Sequence, residues 1–191
     1  MSPATTAARN EAADGISMTH VEVQATFGGG AISNRVAVTV GAAASGDRQT
    51  SADADVTVNA DAVARWAAIY DAASGGTKKF TTPLGSDGYK VASVESNVFR
   101  SPGHGYAADQ KITPLSVNGQ AVPAGLTEGA VLYVINPTAD TYQVSATQGG
   151  AAITGITNGV AKTSKIAEYS GPAGQQFIVR INAGTTFGIQ P

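Results

Sequence analysis

The stretch that decides the fold is ARWAAIYDAASGGTKKF, residues 64–80. As a helix it has good propensity, places Trp66, Ile69 and Tyr70 roughly on one face, and is capped by Gly75. As a strand it places Trp66 and Tyr70 on the same side and ends in a Ser-Gly-Gly turn. Propensity leaves both alternatives open. The first would give a mixed fold with room for an enzyme cleft, and the second an almost purely β protein.

The rest of the chain is rich in alternating β patterns. Apolar and polar residues alternate in THVEVQATF, NRVAVTVG, DADVTVNAD and QQFIVRINAG, which predicts half-buried strands near both ends of the chain. Shorter β-rich runs separated by turn residues fill the middle, and the apolar run 131–135 predicts a strand covered on both faces. We therefore expect an all-β protein.

The order of these patterns predicts the domain organisation. Ser2 followed by Pro3, with Gly15 as a stop signal, predicts a short N-terminal helix within residues 1–15. The last strand returns to the first half, so residues 16–87 and 166–191 are expected to form a β-sandwich. Residues 88–165 then form a second, small β module inserted into it.

Composition narrows the classes of partner. Among 191 residues only 14% are charged, the net charge is −2 and the basic residues are scattered, which argues against nucleic acid and anionic membranes. There is no cysteine, no apolar run of membrane-spanning length and no secretory signal pattern, so we expect synthesis in a cytoplasm. A surface so poor in charge favours burial in an assembly.

The sequence offers little reactive chemistry. A hydrolase triad needs a base held by other groups, and the two histidines, His20 and His104, stand at a strand start and in a glycine-flanked turn. The aspartates of DADVTVNAD lack the glycine and the terminal glutamate of a calcium loop, and the glycine-rich stretches complete no phosphate-binding motif. We expect no catalytic residue, no metal and no cofactor, and hence no enzyme.

Aromatic side chains are the remaining candidates for a binding surface. Trp66, Tyr70 and Tyr106 are the candidate contact residues for a glycan or a protein partner, provided that their rings point outward. A lone tryptophan in an alternating run is more often part of the core.

Two segments resemble proteins of tailed bacteriophages. TTAARNEAADGI (5–16) and the region 62–84, which contains WAAIYDAASGGT, resemble small tail-fibre-like or minor tail proteins. Residues 101–153, with HG at the start, PAGL in the middle and GGAAI at the end, are similar to a module recurrent in phage virion proteins. The resemblance implies that residues 62–72 are extended and end in a turn at Ser74-Gly75-Gly76. It implies a scaffold and transfers no catalytic residue.

The expected function follows from this resemblance. The chain would be a virion structural protein, a minor tail or tail-fibre-like component that contacts other copies of itself and other phage structural proteins. The alternatives are a capsid decoration protein and a carbohydrate-binding adhesin of the virion that touches a host surface glycan. The expected location is the virion, after synthesis in the host cytoplasm.

Overall fold

The protein is all-β throughout the part that the structure describes. The computed structural model describes residues 17–42, 47–117, 119–181 and 186–188, so the helix predicted within residues 1–15 lies outside it. The strands in this part are β1 His20–Gln24, β2 Val36–Ala37, β3 Asp47–Gln49, β4 Ala54–Val58, β5 Val63–Ala64, β6 Trp66–Tyr70, β7 Lys78–Pro83, β8 Tyr89–Glu95, β9 Val98–Arg100, β10 Lys111–Leu115, β11 Leu132–Ile135, β12 Thr141–Ser145, β13 Gly159–Lys165, β14 Tyr169–Ser170, β15 Phe177–Ile181 and β16 Thr186–Gly188. Within these ranges, no helix long and apolar enough to cross a membrane is found.

The segment that contains Trp66 is extended, so the strand alternative is confirmed and the helix alternative is wrong. β6 pairs antiparallel with β1, with Gln24 opposite Trp66 and His20 opposite Tyr70, and its other edge pairs with β7. All five residues of β6 are buried. Because β6 is covered on both faces, its residues show no alternation between apolar and polar types.

The chain divides into two compact units, Met1–Thr82 with Glu168–Pro191, and Pro83–Ala167. The first unit contains the sheet β2-β1-β6-β7. It also contains two antiparallel pairs, β3 with β16 and β4 with β15. The two pairs share one register, because the numbers of the paired residues add up to the same value for Gln49 with Thr186 as for Val58 with Phe177. The isolated bridge of Ser33 with Val58 joins the other edge of β4 to the segment of residues 31–40.

The second unit is a closed barrel of six strands in the order β10-β11-β12-β9-β8-β13. Closure pairs β10 with β13, so this unit has no open sheet edge among its barrel strands. The prediction that 131–135 is covered on both faces is wrong: Leu132 and Val134 are buried, whereas Tyr133 and Ile135 are half-buried. In a barrel one face of each strand lines the core and the other faces outward.

The core of the barrel is mostly apolar and aromatic. Its buried members are Ala92, Val94, Phe99, Tyr106, Ile112, Leu132, Val134, Tyr142, Val144, Ile156 and Ala161.

Candidate functional site

None of the three aromatic residues named from the sequence offers a ring to a partner. Trp66 is fully buried, Tyr70 is 9% exposed and Tyr106 is 5% exposed. Phe27 stands edge-on to Trp66, with ring centroids 5.0 Å apart, and covers it. The expected glycan platform is therefore not present at these positions, because each ring is part of a core.

Tyr70 instead belongs to a buried polar network around Glu22, on the strand β1 beside it. Glu22 Oε1 accepts hydrogen bonds from Tyr70 Oη and from Gln24 Nε2, both at 2.8 Å. Glu22 Oε2 accepts one from Arg35 Nε at 3.0 Å. The guanidinium of Arg35 also lies over the Tyr70 ring, 3.3 Å from its centroid, which is cation–π geometry.

These contacts decide the charge state of the buried carboxylate. Burial alone would raise the pKa of Glu22, but the hydrogen bonds from Gln24, Arg35 and Tyr70 and the charge of Arg35 outweigh it and hold the pKa below its ordinary value. The pKa of Tyr70 is raised by burial and by the neighbouring Glu22. The network thus keeps an ionised Glu22 next to a neutral tyrosine hydroxyl.

Arg35 carries this network to the loop of residues 71–77, which joins β6 to β7 and which we call the anchored loop. Arg35 Nη1 donates to the carbonyl oxygen of Ala72 at 3.2 Å and also to that of Gly75. Residues 73–77 are all exposed. A half-buried guanidinium therefore fixes the backbone of a loop whose residues 73–77 are exposed.

The two ends of the anchored loop are fastened by Asp71. Its Oδ1 accepts a hydrogen bond from Thr77 N at 2.7 Å, and its Oδ2 pairs with Lys79 Nζ at 2.9 Å. The Lys79 hydrogen bond, followed by that of the Thr77 backbone, holds the pKa of Asp71 below its ordinary value. Gly75 and Gly76 both have positive φ, and a Cβ on Gly76 would lie 2.5 Å from Asp71 Oδ1, so the loop geometry requires glycine there.

Tyr106 and His104 are buried in the core of the barrel, and His104 follows directly on the turn that the sequence predicted. Tyr106 Oη and Tyr142 Oη lie 3.1 and 2.8 Å from Thr163 Oγ1, which also lies 3.4 Å from the carbonyl oxygen of Lys90. Thr163 has one proton and the carbonyl can only accept, so both tyrosine hydroxyls donate to Thr163. This network is internal to the core.

The tyrosines and the histidine in this network are fixed by burial. Burial raises the pKa of Tyr106 to about 12 and raises that of Tyr142 further. His104 Nδ1 accepts a hydrogen bond from Tyr106 N at 2.9 Å, so the proton of the neutral ring is on Nε2, which is buried with no hydrogen-bond partner. The ring stands edge-on to Tyr142 at 4.8 Å. These groups line no described site and act as core residues.

The aspartates considered as ligands have structural partners. Asp55 forms a two-pronged contact with Arg180, at 2.7 and 2.9 Å, and Asp53 lies 3.8 Å from the same guanidinium. Asp61, at positive φ, accepts a hydrogen bond from Gly174 N at 2.8 Å. In the described ranges, no three His, Asp or Glu side chains are gathered as metal ligands.

Exposed apolar side chains mark the surfaces that remain for binding. Ile178 on β15 is 62% exposed and Val91 on β8 is 57% exposed. Val160 on β13 is a diagonal neighbour of Val91, because Val91 pairs with Lys162 two residues further on. The candidate functional site is accordingly a set of surfaces: the anchored loop, the outer side of β15 and the outer side of the barrel.

Sequence reasoning missed the residues that build the anchored loop. Glu22 belongs to the polar residues of an alternating strand, a pattern that gives no sign of its burial, and Arg35 stands alone before β2. The only available signal was the run AASGGT itself, whose glycines predicted the turn.

Comparison with known proteins gives no match: no family model, no curated protein and no solved structure is similar to this chain.

Proposed function

We propose that the chain is a bacteriophage virion structural protein, a minor tail or tail-fibre-like component that assembles through protein–protein contacts. The observation that carries the proposal is the anchored loop. It coincides with the AASGGT run on which the phage resemblance rests, it is exposed, and it is held in one conformation by Arg35 and Asp71. Loops that bind partners are typically held this way by a rigid scaffold.

The chemistry of the described surface supports a structural role without catalysis. The histidine in the barrel is buried, Glu22 is occupied by three donors, and Asp55 is occupied by Arg180. The adhesin alternative is not supported by the aromatic residues suggested as sugar contacts, because Trp66, Tyr70 and Tyr106 are buried.

We further propose that the first unit is the predicted β-sandwich. β4 and β15 bury Val56, Val58 and Val179 on one face and expose Ile178 on the other, as expected of an outer sheet packed on one side.

The proposal is tested on intact particles of the phage that encodes the chain. Antibody-labelled particles viewed by electron microscopy should carry the label on the tail. Label on the head would instead establish the capsid decoration alternative, and particles without any label would refute the virion assignment.

The role of the anchored loop is tested by a pair of matched variants. Ser74→Arg places a large charged side chain on the exposed loop, whereas Ala60→Arg makes a similar change at an exposed turn elsewhere in the first unit. We expect Ser74→Arg to be lost from particles assembled by complementation and Ala60→Arg to be retained. Equal incorporation of both variants would show that the loop is no contact surface.

A further inference from the structure

β15 is an outer strand of the first unit. One of its edges pairs with β4 over five residues, from Phe177 with Val58 to Ile181 with Ala54, and no described strand pairs with the other edge. Such an edge presents backbone donors and acceptors to any extended strand that reaches it.

The hydrogen bonds around β4 show which backbone groups of β15 face outward. Asn59 N donates to Ile32 O, so the odd-numbered residues of this strand face residues 31–40 and the even-numbered residues face β15. Val58 and Val56 therefore form the hydrogen-bonded pairs with Phe177 and Val179. Hence the N–H and C=O groups of Ile178 and Arg180 point to the open edge.

This edge lacks the usual protection against pairing. β15 contains no proline and no lysine, and Ile178 is the most exposed of the large apolar side chains described. Arg180 is the only charged residue in the strand, and its charge is neutralised by Asp55 directly across the pair. A second copy would thus meet an apolar, neutral strand with unsatisfied hydrogen bonds.

We propose that this edge is a homodimer interface, in which β15 of two copies pairs antiparallel across a two-fold axis at Ile178. Residues whose backbone groups point to the open edge must pair with each other, which allows Ile178 to lie opposite Ile178 of the second copy, with Gln176 opposite its Arg180. This register buries Ile178, the most exposed of the large apolar side chains described, against the same residue of the second copy. A register centred on Arg180 would instead oppose two guanidinium groups. The inference rests on the proposed function, whose contacts include other copies of the chain.

Cysteine cross-linking tests the register, because the chain has no cysteine of its own. In Ile178→Cys the two Cα atoms would be about 5.5 Å apart in a hydrogen-bonded pair, within the range of a disulfide. Thr57→Cys is the matched control, since Thr57 is exposed beside Ile178 but lies one strand further in. Its two copies would be about 14 Å apart, three strand spacings. We expect a disulfide-linked dimer for Ile178→Cys alone; no dimer, or equal amounts for both variants, overturns the proposal.

Proline at the same position tests the edge hydrogen bonds. Ile178→Pro removes an N–H that points away from β4, so the unit should stay folded, as reported by the fluorescence of Trp66, the only tryptophan. Light scattering should give twice the chain mass for the wild type and the single chain mass for the folded variant. A monomeric wild type, or a dimeric folded variant, refutes the interface. If the variant unfolds, Ile178→Lys replaces it with the same expected masses.

The two proposals fail separately. A chain that is monomeric in solution yet present in particles overturns the dimer and leaves the virion assignment standing. A cross-linked dimer that is absent from particles does the reverse.

Discussion

Replacing Arg35 with alanine should destabilise the first unit because it leaves the buried carboxylate of Glu22 without its positively charged partner. The change removes the bond to Glu22 and both bonds to the anchored loop. Breaking a buried ion pair by removing one partner costs about 3–5 kcal/mol. Glu22 keeps two donors, Gln24 and Tyr70, so we expect a loss near the lower end, about 3 kcal/mol in the free energy of unfolding.

The matched control is Arg180→Ala, which also removes an arginine from a carboxylate. Its partner is Asp55, and about half of each side chain is exposed, so water screens the pair and the loss should be much smaller. Urea unfolding followed by the fluorescence of Trp66 measures both variants, because Trp66 lies in the first unit. Equal losses for the two variants would refute the claim that Arg35 neutralises a buried charge.

Three further predictions follow from the networks and the loop. Gly76→Ala should lower the free energy of unfolding of the first unit by more than about 1–2 kcal/mol, the cost of a left-handed alanine, because its Cβ also clashes. Gly75→Ala places its Cβ in open space, so it should cost only the about 1–2 kcal/mol of the left-handed conformation. Urea unfolding compares the two variants. Thr163→Val leaves two buried tyrosine hydroxyls without an acceptor and should lower the stability of the barrel by about 2–4 kcal/mol, against about 1 kcal/mol for Tyr142→Phe. Near-ultraviolet circular dichroism during unfolding measures both losses. A smaller loss for the valine variant than for the phenylalanine variant would contradict the network. The folded pKa of Glu22 lies below its ordinary value of 4.5, so its contribution to stability is present above that pH and is lost as the pH falls through the folded value; Glu22→Gln should flatten the acid side of the pH–stability curve, and an unchanged curve would count against the assignment.

Local patterns predicted much of the strand content. In β4 the alternation of DADVTVNAD matches the burial of Ala54, Val56 and Val58, and in β15 the same holds for Val179 and Ile181. In β1 the same alternation predicts a half-buried strand, but this prediction is wrong, because Glu22 and Gln24 on its polar face are buried as well.

Local sequence patterns did not predict two kinds of feature: strands that are buried on both faces, and contacts between residues far apart in the chain. β6 shows no alternation, so its residues left helix and strand equally open, and only the phage resemblance favoured the extended form. Closure of the barrel depends on the pairing of β10 with β13, about 50 residues apart, for which no local signal exists. Likewise the approach of Arg35 to Glu22 and of Tyr106 to Thr163 follows from the folded chain and not from spacing. The helix within residues 1–15 stays a prediction.

The barrel begins and ends at one place. Ala167 N donates to the carbonyl oxygen of Leu84 at 2.6 Å, and a Cβ on Gly85 would lie 2.7 Å from that of Ala167. Chain entry and exit are thus adjacent, so a short linker could stand in for all the residues between them. Adjacent ends are the geometry expected of an inserted domain, which recombination between related genes could add, remove or exchange without a change in the rest of the chain.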